Sequence, residues 1–218
     1  MRALDLFCGA GGASRGLYDA GLEVVGVDIN PQPHYPYEFH QADALTFPLE
    51  GFDFIWASPP CQHYVCKRQG WNYERHPDLI EPIRHRLLAT RLPFVIENVR
   101  RAPLRPDLVL CGTMFDLKVF RHRYFEIERF DVQPIPHQTH KGSVYTGEFC
   151  AVYNGGDGVG GYGTNVVKRR AARERMKALG VKQTYERWCE AMGIDWMTKD
   201  ELTQAIPPAY SRYIASFL

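Results

Sequence analysis

The 218-residue sequence contains no run of 18 apolar residues and no CxxC pair of cysteines. A transmembrane helix needs about 20 consecutive apolar residues, so we do not expect the chain to span a membrane. The first residues also lack the charged and apolar regions of a signal peptide, and we expect a cytoplasmic protein. The six cysteines form no CxxC or CxxH motif, so the sequence predicts no structural zinc site, no other metal and no disulfide.

The net charge of only +1 conceals an uneven distribution of charged side chains. Residues 1–60 carry two basic and eight acidic side chains, a formal charge of −6. Residues 61–129 carry thirteen basic and eight acidic side chains (+5), and residues 130–218 carry eleven and nine (+2). An acidic beginning followed by a basic middle is typical of a protein that meets a polyanion on one face, although an ordinary soluble surface is the alternative.

The first 129 residues have the pattern of an α/β domain. An apolar strand at 2–7, a glycine-rich turn, a helix at 13–20 and a strand at 22–27 follow one another, which is the order of a βαβ nucleotide-binding unit. Further strands are predicted at 53–57, 93–96, 108–110 and 123–127, with a helix at 79–90. We therefore expect six or seven strands in a parallel sheet.

The pattern changes after residue 130. Residues 131–147 look like a loop, and the stretch 153–163 has six glycines in eleven positions. Such a stretch is either a flexible surface loop or a place where the backbone closely approaches a ligand. A basic helix is predicted at 168–177, and further helices start near Thr198 and at Pro207-Pro208.

The turn after the first strand, Cys8-Gly9-Ala10-Gly11-Gly12, is a candidate cofactor site. Glycines bring backbone N–H groups and a helix N-terminus against an anionic group of a ligand, although tight turns without a ligand also need glycine. Asp28 ends the second strand, where a carboxylate can accept hydrogen bonds from both ribose hydroxyls of a nucleoside. The missing third glycine of the dinucleotide fingerprint and the Phe7-Cys8-Gly9 context favour S-adenosylmethionine over NAD.

Cys61 follows a predicted strand, in the segment Ser58-Pro59-Pro60-Cys61-Gln62. It should lie at the carboxyl end of that strand, where α/β sheets bind ligands, and the prolines should fix the direction of its thiol. A buried structural cysteine is the alternative. The polar and basic loop that follows, with Lys67 and Arg68, would favour the thiolate, so we interpret Cys61 as the nucleophile and Cys66 as a bystander.

Two further pairs of polar residues stand at strand ends. Glu97 and Asn98 close an apolar strand, where a partly desolvated carboxyl can hydrogen-bond or protonate a base ring; a capping or ion-paired acid is the alternative. Arg121 and Arg123 stand at the start of the last predicted strand. Their guanidinium groups can hold a carbonyl, carboxylate or phosphate, or they can lie in solvent.

Together these segments resemble the motifs of the DNA (cytosine-5) methyltransferase family, and the small size is most similar to that of phage-encoded members. The matching segments are LDLFCGAGGAS at 4–14, VVGVD at 24–28, QADAL at 41–45, SPPCQ at 58–62, VIENV at 95–99, RHRYFEI at 121–127 and QAIPP at 204–208. The resemblance implies a Rossmann-like S-adenosylmethionine-dependent methyltransferase sheet with a reduced target-recognition insertion. It also implies a prokaryotic or phage-infected host cell.

The resemblance assigns a set of residues to the cofactor. These residues are Phe7, Gly9, Ala10, Gly11, Gly12, Asp28, Ile29, Asp43, Ala44, Pro59 and Gln204. Within this set, Asp28 would hold the ribose and Ile29 would pack on the adenine ring. Asp43 and the amide of Ala44 would recognise the edge of the adenine.

The resemblance also implies the chemistry. Cys61 would add to C6 of a cytosine flipped out of duplex DNA, Glu97 would contact the ring nitrogen and amino group, and Arg121 and Arg123 would hold the base and the Cys61 loop. Contacts with DNA are expected from Gln62, Lys67, Arg68, Lys168, Arg169, Arg170 and Arg173. A solvated charged face is the alternative for the basic helix. The alternative functions are the same chemistry on RNA and a catalytically weak nucleic-acid-binding homologue.

The sequence departs from the family pattern in three places. Val119 stands where the family usually has Gln, and Gln204 stands where it usually has Asn. Only about 60 residues lie between Phe130 and the late motif, where family members usually have a separate domain. We therefore expect a catalytic domain at 1–129 and 190–218 with a small recognition insertion at 130–189. The target site, the oligomeric state, a restriction partner and use of a modified cofactor are left open.

Overall fold

The computed structural model describes residues 1–68, 75–137, 139–153 and 166–218, and its description excludes the side chains of 66–68, 166–169, 172 and 173. Residues 154–163 of the predicted glycine-rich loop lie outside the described part. The chain divides into two compact units. The first unit comprises 1–110, 122–134 and 205–218, and the second comprises 111–121 and 135–204.

Seven strands and seven α-helices are assigned in the described residues. The strands are β1 (Arg2–Leu6), β2 (Glu23–Asp28), β3 (Glu38–Gln41), β4 (Phe54–Ala57), β5 (Phe94–Asn98), β6 (Leu108–Leu110) and β7 (Arg123–Glu128). The helices are α1 (Gly12–Asp19), α2 (Gln62–Arg68), α3 (Ile80–Thr90), α4 (Val166–Ala178), α5 (Tyr185–Met192), α6 (Lys199–Gln204) and α7 (Pro208–Ala215). Short 3-10 turns cover Gly112–Phe115 and Val144–Thr146.

All seven strands belong to the first unit and form one sheet in the order β3-β2-β1-β4-β5-β7-β6. The α/β fold and the number of strands agree with the sequence prediction, but the expectation of a fully parallel sheet is wrong. β7 runs antiparallel to both β5 and β6. Parallel neighbouring strands need a crossover connection, which is usually a helix. The chain between β6 and β7 instead runs through residues 111–121 of the second unit, and β7 enters the sheet in the opposite direction.

The inner strands are buried on both faces because helices flank the sheet. Every residue of β4 and β5 is buried, and both strands are nearly continuous apolar runs, as is typical of such sheets. β3 was not predicted because its sequence Glu-Phe-His-Gln lacks an apolar pattern, and the strand lies at the sheet edge with mostly exposed side chains. α2 replaces the polar loop that we predicted after Cys61.

Two glycines allow α1 and α7 to pack closely. A Cβ on Gly12 would lie 2.4 Å from the carbonyl oxygen of Ile206, and one on Gly16 would lie 2.0 Å from that of Pro208. The Ser211 hydroxyl donates a buried hydrogen bond of 2.7 Å to the carbonyl oxygen of Ala13. This contact places α7 against the helix that follows the glycine-rich turn. It explains why the QAIPP motif at 204–208 occurs together with the LDLFCGAGGAS motif at 4–14.

We expect Gly16→Ala to destabilise the fold by about 3 kcal/mol, because the new methyl group overpacks a backbone contact that cannot relax easily. The free energy of unfolding from urea denaturation checks this. Gly51→Ala is the control, since its Cβ would meet no atom within 4 Å and only its φ of +83° is unfavourable, at a cost of about 1–2 kcal/mol. Equal losses in the two variants would contradict close packing of the helices.

The second unit consists of turns and the helices α4, α5 and α6. Its buried side chains include Trp188, Met192, Met197 and Leu202. α5, which we did not predict, begins at the N-cap Thr184, whose hydroxyl accepts a hydrogen bond from the N–H of Arg187. In the described part of the chain, no helix combines the length and apolar character needed to cross a membrane.

Candidate active site

The carboxyl ends of four neighbouring strands bring the predicted site segments of the first unit to one edge of the sheet. Leu6 at the end of β1 pairs with Val27 of β2 and with Ala57 of β4. Ala57 in turn pairs with Ile96 of β5. The residues that follow these positions therefore emerge side by side, as expected for an α/β sheet.

The turn after β1 is held in a conformation that places its backbone N–H groups close to β2. Phe7, Gly9 and Gly11 have positive φ angles of 61°, 51° and 86°. The N–H of Cys8 donates to the carbonyl oxygen of Val27 at 3.1 Å. A Cβ on Gly11 would lie 3.0 Å from the Tyr35 ring. The predicted need for glycine therefore has two causes here, backbone conformation and a close approach by an aromatic ring.

Asp28 connects the glycine-rich turn to the end of β2. One carboxylate oxygen accepts the N–H of Gly9 at 3.0 Å, and the other accepts the N–H of Asn30 at 2.9 Å. Next to it, the Ile29 side chain is 65% exposed. An exposed isoleucine beside a half-exposed carboxylate fits an adenosine group, whose ring is apolar and whose ribose carries hydroxyls.

The segment after β3 lies next to Asp28. The N–H of Ala42 donates to the carbonyl oxygen of Asp28 at 3.0 Å. The Asp43 carboxylate accepts the N–H of Leu45 at 2.8 Å, and Ala44 is buried. These contacts fix the backbone of the predicted adenine-recognition segment.

Asp5 is a site residue that sequence analysis missed, because it reads as part of an apolar strand. It is fully buried, and burial raises the pKa of its carboxyl to about 7. Its Oδ2 accepts the Ser14 hydroxyl, which also lies 2.8 Å from the Tyr35 hydroxyl. Its Oδ1 has no hydrogen-bond partner among the described residues. A buried, partly satisfied acid below the glycine-rich turn is suited to a cationic ligand.

We expect the free energy of unfolding of the ligand-free protein to fall as pH rises from about 4 to about 7. The pKa of Asp5 is raised from 3.8 to about 7 in the folded chain, so its stabilising contribution is complete below 3.8 and is lost as pH rises through 7. The shift corresponds to about 4 kcal/mol. Asp5→Asn, measured by urea denaturation at acidic and alkaline pH, should remove this loss. An unchanged pH profile would contradict the burial of an ionisable Asp5.

Hydrogen bonds fix the segment between β4 and Cys61. The Trp56 indole N–H donates to the Ser58 hydroxyl at 2.8 Å. The Asn98 side-chain amide donates to the carbonyl oxygen of Pro59 at 2.7 Å, and this bond is buried. Asn98 is therefore a positioning residue that sequence analysis did not assign to the site. α2 begins directly after Cys61, at Gln62.

The Cys61 thiol is half-buried and forms no disulfide. Cys8, the other cysteine near the glycine-rich turn, is buried, and burial raises the pKa of its thiol far above the usual range. Cys8 is thus unsuited to act as a nucleophile, whereas Cys61 is accessible. The side chain of Cys66 lies outside the described part.

Glu97 and Arg123 form a buried ion pair across β5 and β7. The Arg123 Nε lies 3.0 Å from the Glu97 Oε1, and the two side chains are 15% and 6% exposed. Glu97 directly follows the residue of β5 that pairs with the end of β4. The structure therefore brings an acid, its guanidinium partner and the Cys61 segment to the same edge of the first unit.

Two predicted site residues belong to the second unit. The buried Arg121 guanidinium donates to the carbonyl oxygens of Val152 and Thr203, each at 2.7 Å, which gives it a structural task there. Gln204 is exposed at the end of α6, and its amide donates to the Thr203 hydroxyl at 3.4 Å. A role for either residue at the base or the cofactor stays a prediction.

The predicted DNA contacts are described only in part. Lys67 and Arg68 lie in α2, and Lys168, Arg169 and Arg173 lie in α4, but these five side chains are outside the described part. Arg170 is exposed, and its Nε lies 3.2 Å from a carboxylate oxygen of Glu174. Gln62 is half-buried, and its side-chain oxygen has no hydrogen-bond partner in the described residues.

The sequence profile of the family described as C-5 cytosine-specific DNA methylase matches residues 1–104. The chain carries a domain of this family over those residues, and the predicted family is confirmed there. The matched range contains the glycine-rich turn, Asp28, Cys61 and Glu97. S-adenosylmethionine is the methyl donor of the family, which confirms the predicted cofactor. Among curated protein sequences, none matches the chain.

Solved structures confirm the Rossmann-like methyltransferase fold. A prophage-encoded E. coli protein described as a DNA modification methyltransferase is 14% identical, with 99% of this chain and 97% of that chain covered and a TM-score of 0.58. The S. pombe Dnmt2 methyltransferase is 15% identical, with 99% and 97% covered and a TM-score of 0.61. A mutant of Spodoptera frugiperda DNMT2 is 13% identical, with 99% and 98% covered and a TM-score of 0.65. At these identities the likeness concerns the fold.

Proposed function

We propose that this protein transfers a methyl group from S-adenosylmethionine to C5 of cytosine in duplex DNA through a covalent bond between Cys61 and C6. One observation carries this proposal. Cys61 follows β4 and Glu97 lies near the end of β5, the parallel strand paired with β4, and both residues belong to the same unit as the glycine-rich turn. A nucleophile, an acid and a nucleoside-binding turn on one sheet edge are the groups that this reaction requires.

The residues of the first unit fit the cofactor. When bound, S-adenosylmethionine supplies an electrophilic methyl group on a sulfonium centre. Asp28 would exchange its hydrogen bonds to the backbone for the ribose hydroxyls, and the exposed Ile29 would cover one face of the adenine. The unsatisfied Oδ1 of Asp5 fits the positive charge of the amino acid group. Phe7, the glycines of the turn, Asp43 and Pro59 would complete the site.

Cys61 and Glu97 would carry out the chemistry on the base. Addition of the Cys61 Sγ to C6 breaks the aromatic system and makes C5 an enamine carbon that can take up a methyl group. Glu97 would hold a proton at N3 and neutralise the charge that develops there. Loss of the C5 proton to a base and departure of the Cys61 thiolate from C6 restore the aromatic ring.

Arg123 and Asn98 would keep these groups in place. Arg123 fixes the Glu97 carboxylate through the ion pair of 3.0 Å. Asn98 fixes the backbone two residues before Cys61 through its bond to Pro59. The two contacts hold the acid and the backbone next to Cys61 in fixed positions, as stabilisation of a developing charge requires.

The substrate has to leave the base stack, since C6 of a paired cytosine is not accessible to a thiol. Phosphate contacts from the basic residues of α2 and α4, including Arg170, would offset part of the unstacking cost of a few kcal/mol. We propose that residues 130–189 contribute the reduced recognition insertion and that 1–129 and 190–218 form the catalytic domain.

The experiment that tests the function is transfer of a labelled methyl group from S-adenosylmethionine to duplex DNA, single-stranded DNA and RNA of matched sequence. We expect transfer to duplex DNA, with bisulfite sequencing reporting 5-methylcytosine and its sequence context. Transfer to RNA alone would show that the substrate is RNA and not DNA, while the proposed chemistry on cytosine would stand. Binding to DNA without transfer to any substrate would show a binding protein and contradict the proposal.

A further inference from the structure

A cluster of metal-binding side chain types lies in the second unit, outside the proposed active site. The Cys111 Sγ is 3.2 Å from the His140 Nε2, which is 3.1 Å from the His137 Nε2. Together these three atoms lie within 4.8 Å of one another. Cys111 is buried, His140 is half-buried and His137 is exposed, so the cluster opens to solvent on the side of His137.

Hydrogen bonding alone satisfies this arrangement poorly. The Nε2 of His140 offers either one proton or one lone pair, but it faces both a sulfur atom and a second imidazole nitrogen at hydrogen-bond distance. One proton or lone pair cannot serve both partners fully. A cation bound to a thiolate and two neutral imidazole nitrogens would satisfy all three atoms at once.

The spacing of the three atoms is close to that of a tetrahedral zinc site. With Zn–S of about 2.3 Å and Zn–N of about 2.0–2.1 Å, tetrahedral angles separate S from N by roughly 3.5 Å and N from N by roughly 3.3 Å. The observed distances of 3.2 and 3.1 Å are slightly shorter, so a bound ion would require only small side chain movements. Cysteine and histidine together are typical ligands of zinc.

The surroundings hold the ligands in place. The His140 ring stacks on Phe120 with 4.2 Å between ring centroids and 15° between planes, and Phe120 stacks on Phe149 at 4.1 Å. The Thr113 hydroxyl lies 3.3 Å from the Cys111 sulfur, where it can donate a hydrogen bond to a bound thiolate. Such contacts orient the primary ligands of a metal site.

We propose that Cys111, His137 and His140 form a binding site for a divalent transition-metal ion, with Zn²⁺ as the preferred ion. Binding releases the Cys111 thiol proton to solvent. Cys111 follows β6, and the histidines follow β7, so the ion would join two separate chain segments of the second unit. Its role is therefore structural.

Cobalt provides the direct test. The reduced 218-residue chain, stripped with a chelator, should bind one Co²⁺ per chain with a thiolate-to-cobalt charge-transfer band, and Zn²⁺ should displace the cobalt and raise the melting temperature. Cys111→Ser should abolish the band. His137→Ala should weaken Zn²⁺ binding by about 100-fold or more, since loss of an outer partner alone costs about 10–100-fold. Because His137 is exposed, its replacement leaves the core intact.

Matched controls separate this site from others. Cys189→Ser replaces a half-buried thiol of α5 in the same unit, and His85→Ala replaces an exposed histidine of α3; both should retain the band and the affinity. Cys61→Ser should also bind the ion normally. A wild-type protein that binds cobalt without a thiolate band, binds none, or binds equally after Cys111→Ser and His137→Ala would overturn the proposal.

Discussion

Cys61→Ser should lower methyl transfer to cytosine by roughly 10⁴-fold or more, because the hydroxyl is a far weaker nucleophile than a thiolate and no other group can take its place. The affinity for S-adenosylmethionine should stay nearly unchanged, since Cys61 is not one of the residues assigned to the cofactor and the substitution replaces a single atom of its side chain. Labelled transfer under single-turnover conditions and equilibrium binding of the cofactor measure the two quantities separately.

The control for this substitution is Cys189→Ser, which makes the same chemical change at a half-buried thiol in the second unit. It should retain wild-type transfer. Retained activity in Cys61→Ser would remove Cys61 from the role of nucleophile, and a parallel loss in both variants would indicate a general sensitivity of the protein to loss of a thiol.

Glu97→Gln should lower transfer by about 10²–10⁴-fold, the range that a positioned acid or base contributes. The amide cannot hold a transferable proton at N3, and it leaves the Arg123 guanidinium without a carboxylate although that side chain is only 15% exposed. Breaking a buried pair from one side costs about 3–5 kcal/mol of stability. Transfer rates and urea denaturation are therefore both needed.

A second buried pair in the same sheet supplies a matched control. Glu126 on β7 is 5% exposed in its side chain and pairs with Arg84 at 2.7 Å. Glu126→Gln should cost similar stability but, once folded, should retain transfer, because Arg84 and Glu126 belong to neither the cofactor segments nor the Cys61 segment. Equal losses of transfer in both variants would show that Glu97 acts only through folding.

Much of the fold could be predicted from the sequence because the inner strands have strong local signals. β1, β4 and β5 are apolar runs bounded by glycine or proline, and the observed bounds differ from the predicted ones by only a few residues. The antiparallel direction of β7 could not be predicted, because it depends on the path of the chain through the second unit. β3 was missed because its segment contains no apolar run, and α5 was missed although its N-cap Thr184 and the helical spacing of its buried Trp188, Ala191 and Met192 were available signals.

The site was predictable where a motif fixes both the residue type and the strand end. Asp28, Cys61 and Glu97 all lie at the expected edge of the sheet. Asp5 was missed because a buried acid inside an apolar strand is usually read as part of the strand, and only its unsatisfied oxygen marks it in the structure. The available signal was the position of Asp5, an acidic residue shortly before the glycine-rich turn that begins at Cys8.

Contacts distant in sequence account for the remaining misses. Asn98 holds Pro59 from another strand, which no local pattern shows. The Cys111 cluster escaped because its ligands lie in two segments with β7 between them. The spacing of His137 and His140, two histidines separated by two residues, was the available signal. The bonds of Arg121 to the carbonyl oxygens of Val152 and Thr203 also join distant parts of the chain, and its role at the base stays a prediction.

Trapping with duplex DNA that contains 5-fluorocytosine tests the central claim most directly. Fluorine at C5 cannot leave as a proton does, so an enzyme that forms the Cys61–C6 bond should remain attached to the DNA after denaturation when S-adenosylmethionine is present. The account predicts a covalent complex in which mass spectrometry places the link on the peptide that contains Cys61, and none with Cys61→Ser. Methyl transfer to ordinary DNA without any trapped complex, or a link at another residue, would contradict it.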